Sequence, residues 1–353
     1  MSAQAAVAGQ IHALTENWDN PAVERAIFGT ADPAQIAAYV DAFCREHLGA
    51  GIAEALFYRS SIGSVFGLGL EDSQRVVVKA HQPDYPAVYL GAVQRVARHL
   101  ASRGFPCPVP ILDPTRMGLG TATAETFIGD GECRNAHEPE VRQAIACALW
   151  RQIDLAREFV NLPGIGELQA QHPVPPERLF GKPHSVIFDF EATAAGAEWI
   201  DELGWRAKRL LSQPVGEMVI GHSDWSAKHF LFVEGAMRVI YDWDSLRVDP
   251  EPVIVGRAAH AFCAVYDTPL DGKVLHTPSY EDVVAFVAEY QAARGVAFTP
   301  AERRAVGAAC TYSIAYSSRC SHALDPRPGR DTELPPGDWR HALASYGERL
   351  LTW

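Results

Sequence analysis

The sequence is poor in lysine, carries no paired cysteines and contains no long apolar run, and each absence removes a class of function. Only five lysines occur, Lys79, Lys182, Lys208, Lys228 and Lys273, and the formal net charge is -12. A chain that coats nucleic acid needs bulk positive charge to replace phosphate counterions, so that role is excluded. Nowhere do the ~18 uninterrupted apolar residues of a membrane span occur, and the stretch MSAQAAVAGQ has no basic region ahead of an apolar one. The expectation is a cytoplasmic protein with no membrane partner. The seven cysteines, Cys44, Cys107, Cys133, Cys147, Cys263, Cys310 and Cys320, form no CxxC pair, which fits reduced core thiols better than a zinc site or a disulfide frame.

What is there is ample core material. With 353 residues, 48% of them hydrophobic, the chain exceeds what one compact core usually holds, and two lobes or domains are expected. The acid surplus is compatible with a cationic small-molecule partner, although simple solubility is the plainer reading.

Residues 1–54 read as a helical extension: Asp32-Pro33 opens a helix that puts Ile36, Tyr39, Val40 and Phe43 on one face, and Gly49 to Gly51 end it. From Ala55 the period becomes that of strands, with a turn at Glu71-Asp72-Ser73 and then RVVVKAH, so residues 55–128 begin with a β-hairpin. A helix over Tyr89–Arg103 follows, with Leu90, Val93, Val96, Ala97 and Leu100 inward, stopped by Gly104 and FPCPVPIL. The crossing into a second lobe, 129–353, falls near Gly129. Beyond it helices are predicted over Glu138–Asn161, Phe188–Ser212 and from Val255, Ser279 and Ala301, with strands at Met218–Ile220 and Met237–Tyr241 and a proline-rich loop over 324–338.

The chemistry concentrates between those two strands. The segment from Val219 to Phe232 runs from a strand through a polar loop holding His222, Asp224, Lys228 and His229 into a second apolar run. Eighteen residues after Asp224 an apolar strand ends in Asp242 and Asp244. Two carboxylates at neighbouring strand ends suit phosphoryl transfer, one to orient the attacking hydroxyl and one to hold a divalent cation. Upstream, Ser60 to Gly69 is glycine-rich, and Gly63, Ser64 and Gly67 would let backbone N–H groups approach an anion. Lys79, in VVVKA, is costly in a half-buried strand unless its ammonium meets an anion, and a nucleotide phosphate is such an anion.

The order of glycine-rich hairpin, strand lysine, HxD loop and strand-end aspartate resembles the aminoglycoside phosphotransferase and choline kinase family, across about residues 55 to 265. The resemblance implies an α+β, two-lobed protein-kinase-like fold with a small β-rich N-lobe and a larger, mainly helical C-lobe. It implies an enzyme that moves the γ-phosphoryl group of ATP or GTP, with Mg²⁺ or Mn²⁺, to the hydroxyl of a small molecule such as an antibiotic, sugar or amino alcohol. Asp224 would be the catalytic aspartate, His222 its brace, Asp242 the metal ligand and Lys79 the lysine on the α- and β-phosphates. Glu125 and Phe127 would lie where the lobes meet, with the backbone of Thr126 to Ile128 on adenine. A monomer or homodimer is expected.

Two positions depart from the family pattern. His229 stands where an Asn is usual, and Val93 and Gln94 occupy the helix segment where a glutamate would pair with Lys79. Neutral imidazole suits Mn²⁺ better than Mg²⁺; Asp244 is either a second acidic ligand, which would compensate, or a strand-end cap. These departures motivate a rival reading, a catalytically silent nucleotide-binding protein. Lys228 either touches the γ-phosphate or is a solvated loop lysine, and Trp225 either contacts the acceptor or packs. The acidic run Asp189, Glu191, Glu198, Asp201 and Glu202 either lines a pocket for a polycation or is a solvated face.

Overall fold

The structure, a computed structural model, describes residues 2–16, 21–327, 329–330 and 333–353. Residues 328, 331 and 332 of the expected proline-rich loop lie outside that set. The chain forms a β-rich N-lobe, residues 1–129 with 162–168, and a helical C-lobe, residues 130–161 with 169–353, the architecture of a protein-kinase-like fold.

Among the described residues three α-helices precede the N-lobe sheet, α1 (Ala3–Thr15), α2 (Ala22–Phe28) and α3 (Pro33–Phe43), the last continued by a π-helical turn over Cys44–Leu48. Asp32 caps α3 by accepting from the N–H groups of Ala34 and Gln35, with Pro33 at the first helical position. Ile36, Val40 and Phe43 are buried as their spacing requires, whereas Tyr39 is 49% exposed and leaves the predicted face. These helices share one apolar core with the sheet, Val7, Ile11, Ile27 and Phe28 packing with Phe66, Leu68 and Val78. Buried Asp41 adds a polar tie, accepting from the Ile52 N–H at 2.7 Å and from Gln4 at 2.8 Å.

The sheet has the order β1 (Ile52–Ser60), β2 (Ser64–Leu70), β3 (Arg75–His81), β5 (Gly120–Thr126), β4 (Pro110–Met117), all antiparallel neighbours. The β1–β2 turn sits at Ser61 to Gly63, and α4 (Ala87–Ser102) buries Leu90, Val93, Val96, Ala97 and Leu100.

In the C-lobe, α5 (Pro139–Ala156) ends short of the predicted Asn161, its last turn tightening at Arg157–Phe159. After the short α6 (Glu167–Gln171), the predicted helix from Phe188 does not begin until α7 (Glu198–Leu211). Asp189 is the reason: its carboxylate accepts from the N–H groups of Glu191 and Ala192, a local turn that competes with helix. Gly196, at φ +84°, then turns the chain before α7.

Two small antiparallel ladders follow: β6 (Met218–His222) pairs with β9 (Leu246–Pro250), and β7 (Phe230–Val233) with β8 (Ala236–Ile240). Strand β9 was not foreseen. The lobe closes with α8 (Glu251–Ala261), α9 (Tyr280–Arg294), α10 (Pro300–Leu324) and α11 (Trp339–Leu350). Capping boxes Ser279/Asp282 and Thr299/Glu302 start α9 and α10. Helices α8 and α10 approach so closely that a Cβ at Gly256 would stand 2.3 Å from the Val306 carbonyl oxygen.

Candidate active site

The β6–β9 and β7–β8 ladders hold the polar loop from both ends. Buried His222 fixes its near side: Nδ1 accepts from the Asp224 N–H at 3.2 Å, so Nε2 is the protonated nitrogen and donates to the Tyr241 carbonyl at 3.1 Å. Burial pushes the His222 pKa down, and the ring serves as a neutral brace.

Asp224 gathers every donor around it. Ser226 Oγ donates to its Oδ1 at 2.9 Å, while its Oδ2 meets Lys228 Nζ at 2.8 Å and His229 Nε2 at 3.1 Å. Burial alone would raise the Asp224 pKa, but His229 and Lys228 outweigh it and hold the carboxylate well below its usual range. Lys228 shows the reciprocal effect: burial opposes its charge, yet Asp224 raises its pKa. It is an ion-pair partner of Asp224, not a solvated loop lysine.

Asp242 follows the end of β8 in the left-handed conformation, φ +71° and ψ 42°, which costs a non-glycine residue energy and re-aims its side chain. Its Oδ2 accepts from Ser245 Oγ at 2.7 Å and lies 3.8 Å from His229 Nε2. One ligand atom each from Asp224, His229 and Asp242 falls within a 4.8 Å cluster; Asp244 is not part of it. Two carboxylates and an imidazole are a donor set that fits Mn²⁺ or Mg²⁺. Trp225 takes the packing alternative: it is 1% exposed, donates from Nε1 to the Ile145 carbonyl and meets Phe230 edge-on at 5.0 Å.

In the N-lobe, Lys79 is buried on β3, and its Nζ lies 3.6 Å from Glu125 Oε1. The register explains the meeting: Lys79 faces Thr123 and Val77 faces Glu125, so lysine and glutamate are diagonal neighbours on one face. The helix segment that lacks a glutamate holds Gln94, which is 5% exposed and donates to the Leu112 carbonyl. Glu125, expected where the lobes meet, is thus the carboxylate beside Lys79. That role needs the β3–β5 register, and no spacing in the sequence announces it.

The glycines have packing reasons too. A Cβ at Gly63 would meet the Ala80 carbonyl oxygen at 2.8 Å, and one at Gly67 would strike the Phe57 ring at 2.2 Å. Ser64 is buried, its Oγ 3.2 Å from the Tyr58 hydroxyl. The Phe127 ring lies 6.0 Å from Phe57, and the N–H groups of Thr126 and Phe127 bond the carbonyls of Val109 and Arg75.

Residues 59–306 match the sequence profile of the phosphotransferase enzyme family, and the chain belongs to it. Membership supports ATP-dependent phosphotransfer to a small-molecule hydroxyl as its general activity. Among curated proteins none matches in sequence. Among solved structures the fold is similar to that of amicoumacin kinase hAmiN in complex with AMP-PNP, Ca²⁺ and Ami, with TM-score 0.57 and 12% identity over 84% of this chain and 87% of that one. A Plasmodium vivax ethanolamine kinase matches with TM-score 0.51 and 12% identity, over 89% of this chain and 88% of that one.

Proposed function

We propose that the protein transfers the γ-phosphoryl group of ATP or GTP to a hydroxyl of a small molecule, with Asp224 as the residue that orients that hydroxyl. The observation that carries this reading is the convergence of Asp224, His229 and Asp242 on one point of the C-lobe. A depressed pKa keeps Asp224 an ionised hydrogen-bond acceptor, so its part is alignment of the hydroxyl. His222 fixes the loop that presents it. Asp242 and His229 would hold a divalent cation, which when bound supplies charge neutralisation on the phosphates. Lys79, held by Glu125, would meet the α- and β-phosphates, and the turn at Gly63 and Ser64 would cover them. Lys228, beside Asp224, would reach the group in transfer.

The second reading, a catalytically silent nucleotide-binding protein, is favoured by one observation: both oxygens of Asp224 already have partners in Ser226, Lys228 and His229. The test is ATP turnover and ATP affinity, with Mg²⁺ and with Mn²⁺, in wild type and Asp224→Asn. The enzyme reading expects background hydrolysis to fall about 10²- to 10⁴-fold in the variant with affinity within a few fold. Binding without hydrolysis in wild type would leave the silent reading standing instead.

A further inference from the structure

Two arginines converge on a single carboxylate in the C-lobe. Arg247 Nε donates to Asp249 Oδ2, and Arg257 Nε lies 4.0 Å from the same oxygen. The Arg257 Nε is closed off from solvent with no hydrogen-bond partner, and among the described residues its guanidinium makes no hydrogen bond at all. Among the described residues Arg247 spends only its Nε. A guanidinium offers five donors; here the buried Nε of Arg257 is left unmet, which is costly, while the terminal amines of both arginines are not closed off and remain open to a ligand. Burial, followed by the like charge of Arg247, pushes the Arg257 pKa down to about 10, which marks a surplus of positive charge that Asp249 does not cancel.

The pair lies on the Asp224 side of this lobe. In the β6–β9 ladder Arg247 stands opposite Gly221, next to the His222 that braces Asp224. One turn beyond Arg257 on α8, His260 feels the charges of both Asp224 and Arg257. Tyr312 on α10 feels both arginines, and one turn further Tyr316 bonds His184 at 2.7 Å, a ring that feels Lys228 and Asp224. Two members of the acidic run that would welcome a cation are engaged elsewhere: Asp201 pairs with Arg319 at 3.2 Å, and Asp189 caps its own turn.

We infer that the hydroxyl acceptor is an anion, a small molecule bearing a carboxylate or a phosphate monoester that Arg257 and Arg247 receive while Asp224 faces its hydroxyl. This rests on the phosphotransfer reading and names its substrate class. It is opposite in sign to the cationic partner with which the acid surplus of the sequence is compatible.

The experiment uses the full-length protein with and without AMP-PNP, and titrates inorganic phosphate and, separately, malonate by calorimetry and thermal shift. Wild type is expected to bind one of the two saturably with AMP-PNP present; phosphate alone points to a phosphate ester, malonate alone to a carboxylate. Arg257→Met should weaken that binding at least tenfold, with Arg257→Lys intermediate. Because the buried Nε has no internal hydrogen-bond partner and Asp249 stands only at 4.0 Å, Arg257→Met should also raise the thermal midpoint of the ligand-free protein, which a structural arginine would not do. Failure of both anions to bind, unchanged affinity in Arg257→Met, or a midpoint lowered by several degrees would overturn the inference. Failure of AMP-PNP to bind strikes the phosphotransfer reading instead, and the anion titration without nucleotide still decides the arginine pair.

Discussion

At the scale of single residues, the departures from the family pattern are where this chain is most its own. Glu125 holds Lys79 from an adjacent strand, in a lobe whose helix offers Gln94 rather than a carboxylate. If the pair acts as a unit toward phosphate, Lys79→Ala and Glu125→Gln should each weaken ATP binding, Lys79→Ala by roughly 1.5–3 kcal/mol. The double variant should fall short of the sum, with a coupling of about 0.5–3 kcal/mol. Calorimetry on the four proteins measures it, and additive losses would mean that the two residues act separately.

His229 is the second departure. Its Nε2 lies between Asp224 at 3.1 Å and Asp242 at 3.8 Å, where an amide would offer a harder oxygen donor. His229→Asn is therefore expected to shift metal preference from Mn²⁺ toward Mg²⁺, read as the ratio of metal dissociation constants in the presence of AMP-PNP. An unchanged ratio would remove His229 from the ligand set.

At the scale of elements, what was legible follows from local physics, and what was missed follows from pairing. The hairpin, the α4 face and the HxD loop were readable because alternation, helical spacing and polar interruption are local signals. Strand β9 was not, because Leu246 to Pro250 is short and carries Arg247 and Asp249; only its ladder with β6 makes it a strand. The helix predicted from Phe188 failed because Asp189 bonds backbone two and three residues on, an option that periodicity does not weigh. Asp224, His229 and Asp242, which the structure brings together, were nameable as candidates from types and order, whereas the Lys79–Glu125 pair and the arginine pair required register and helix packing.

One tie between elements predicts a pH response. His137, just before α5, bonds Asp282 on α9 at 3.0 Å, and Arg142 meets the other oxygen of Asp282 at 3.1 Å while also pairing with Glu289. The bond to Asp282 raises the His137 pKa above 6.5, so its contribution to stability is full below that pH and lost as pH rises through the folded value. Burial would raise the Asp282 pKa, but bonds from His137 and Ser279 hold it at about 2, so its contribution is present above 3.8 and lost as pH falls toward 2. The thermal midpoint of wild type should therefore exceed that of His137→Gln most between about pH 4 and 6, and the gap should narrow as pH rises beyond the raised His137 value. A gap constant across that range would show that His137 contributes through packing alone.

At the scale of the whole molecule, a kinase-like fold supplies two separately built parts, an N-lobe sheet with a buried lysine and a C-lobe loop with converging carboxylates. The fold by itself does not choose an acceptor, since similar architectures belong to an amicoumacin kinase and to an ethanolamine kinase. The lobe that holds the Asp224 loop carries two arginines that share one aspartate, the pair inferred above to receive the acceptor.

The central claim, phosphotransfer to a small-molecule hydroxyl through Asp224, is tested most directly by mass spectrometry. Full-length protein with ATP and a divalent cation is incubated with pooled metabolites and antibiotics, beside an Asp224→Asn control. The account predicts at least one compound that gains one phosphate in the wild-type reaction and not in the control. A compound phosphorylated equally by both proteins would contradict it.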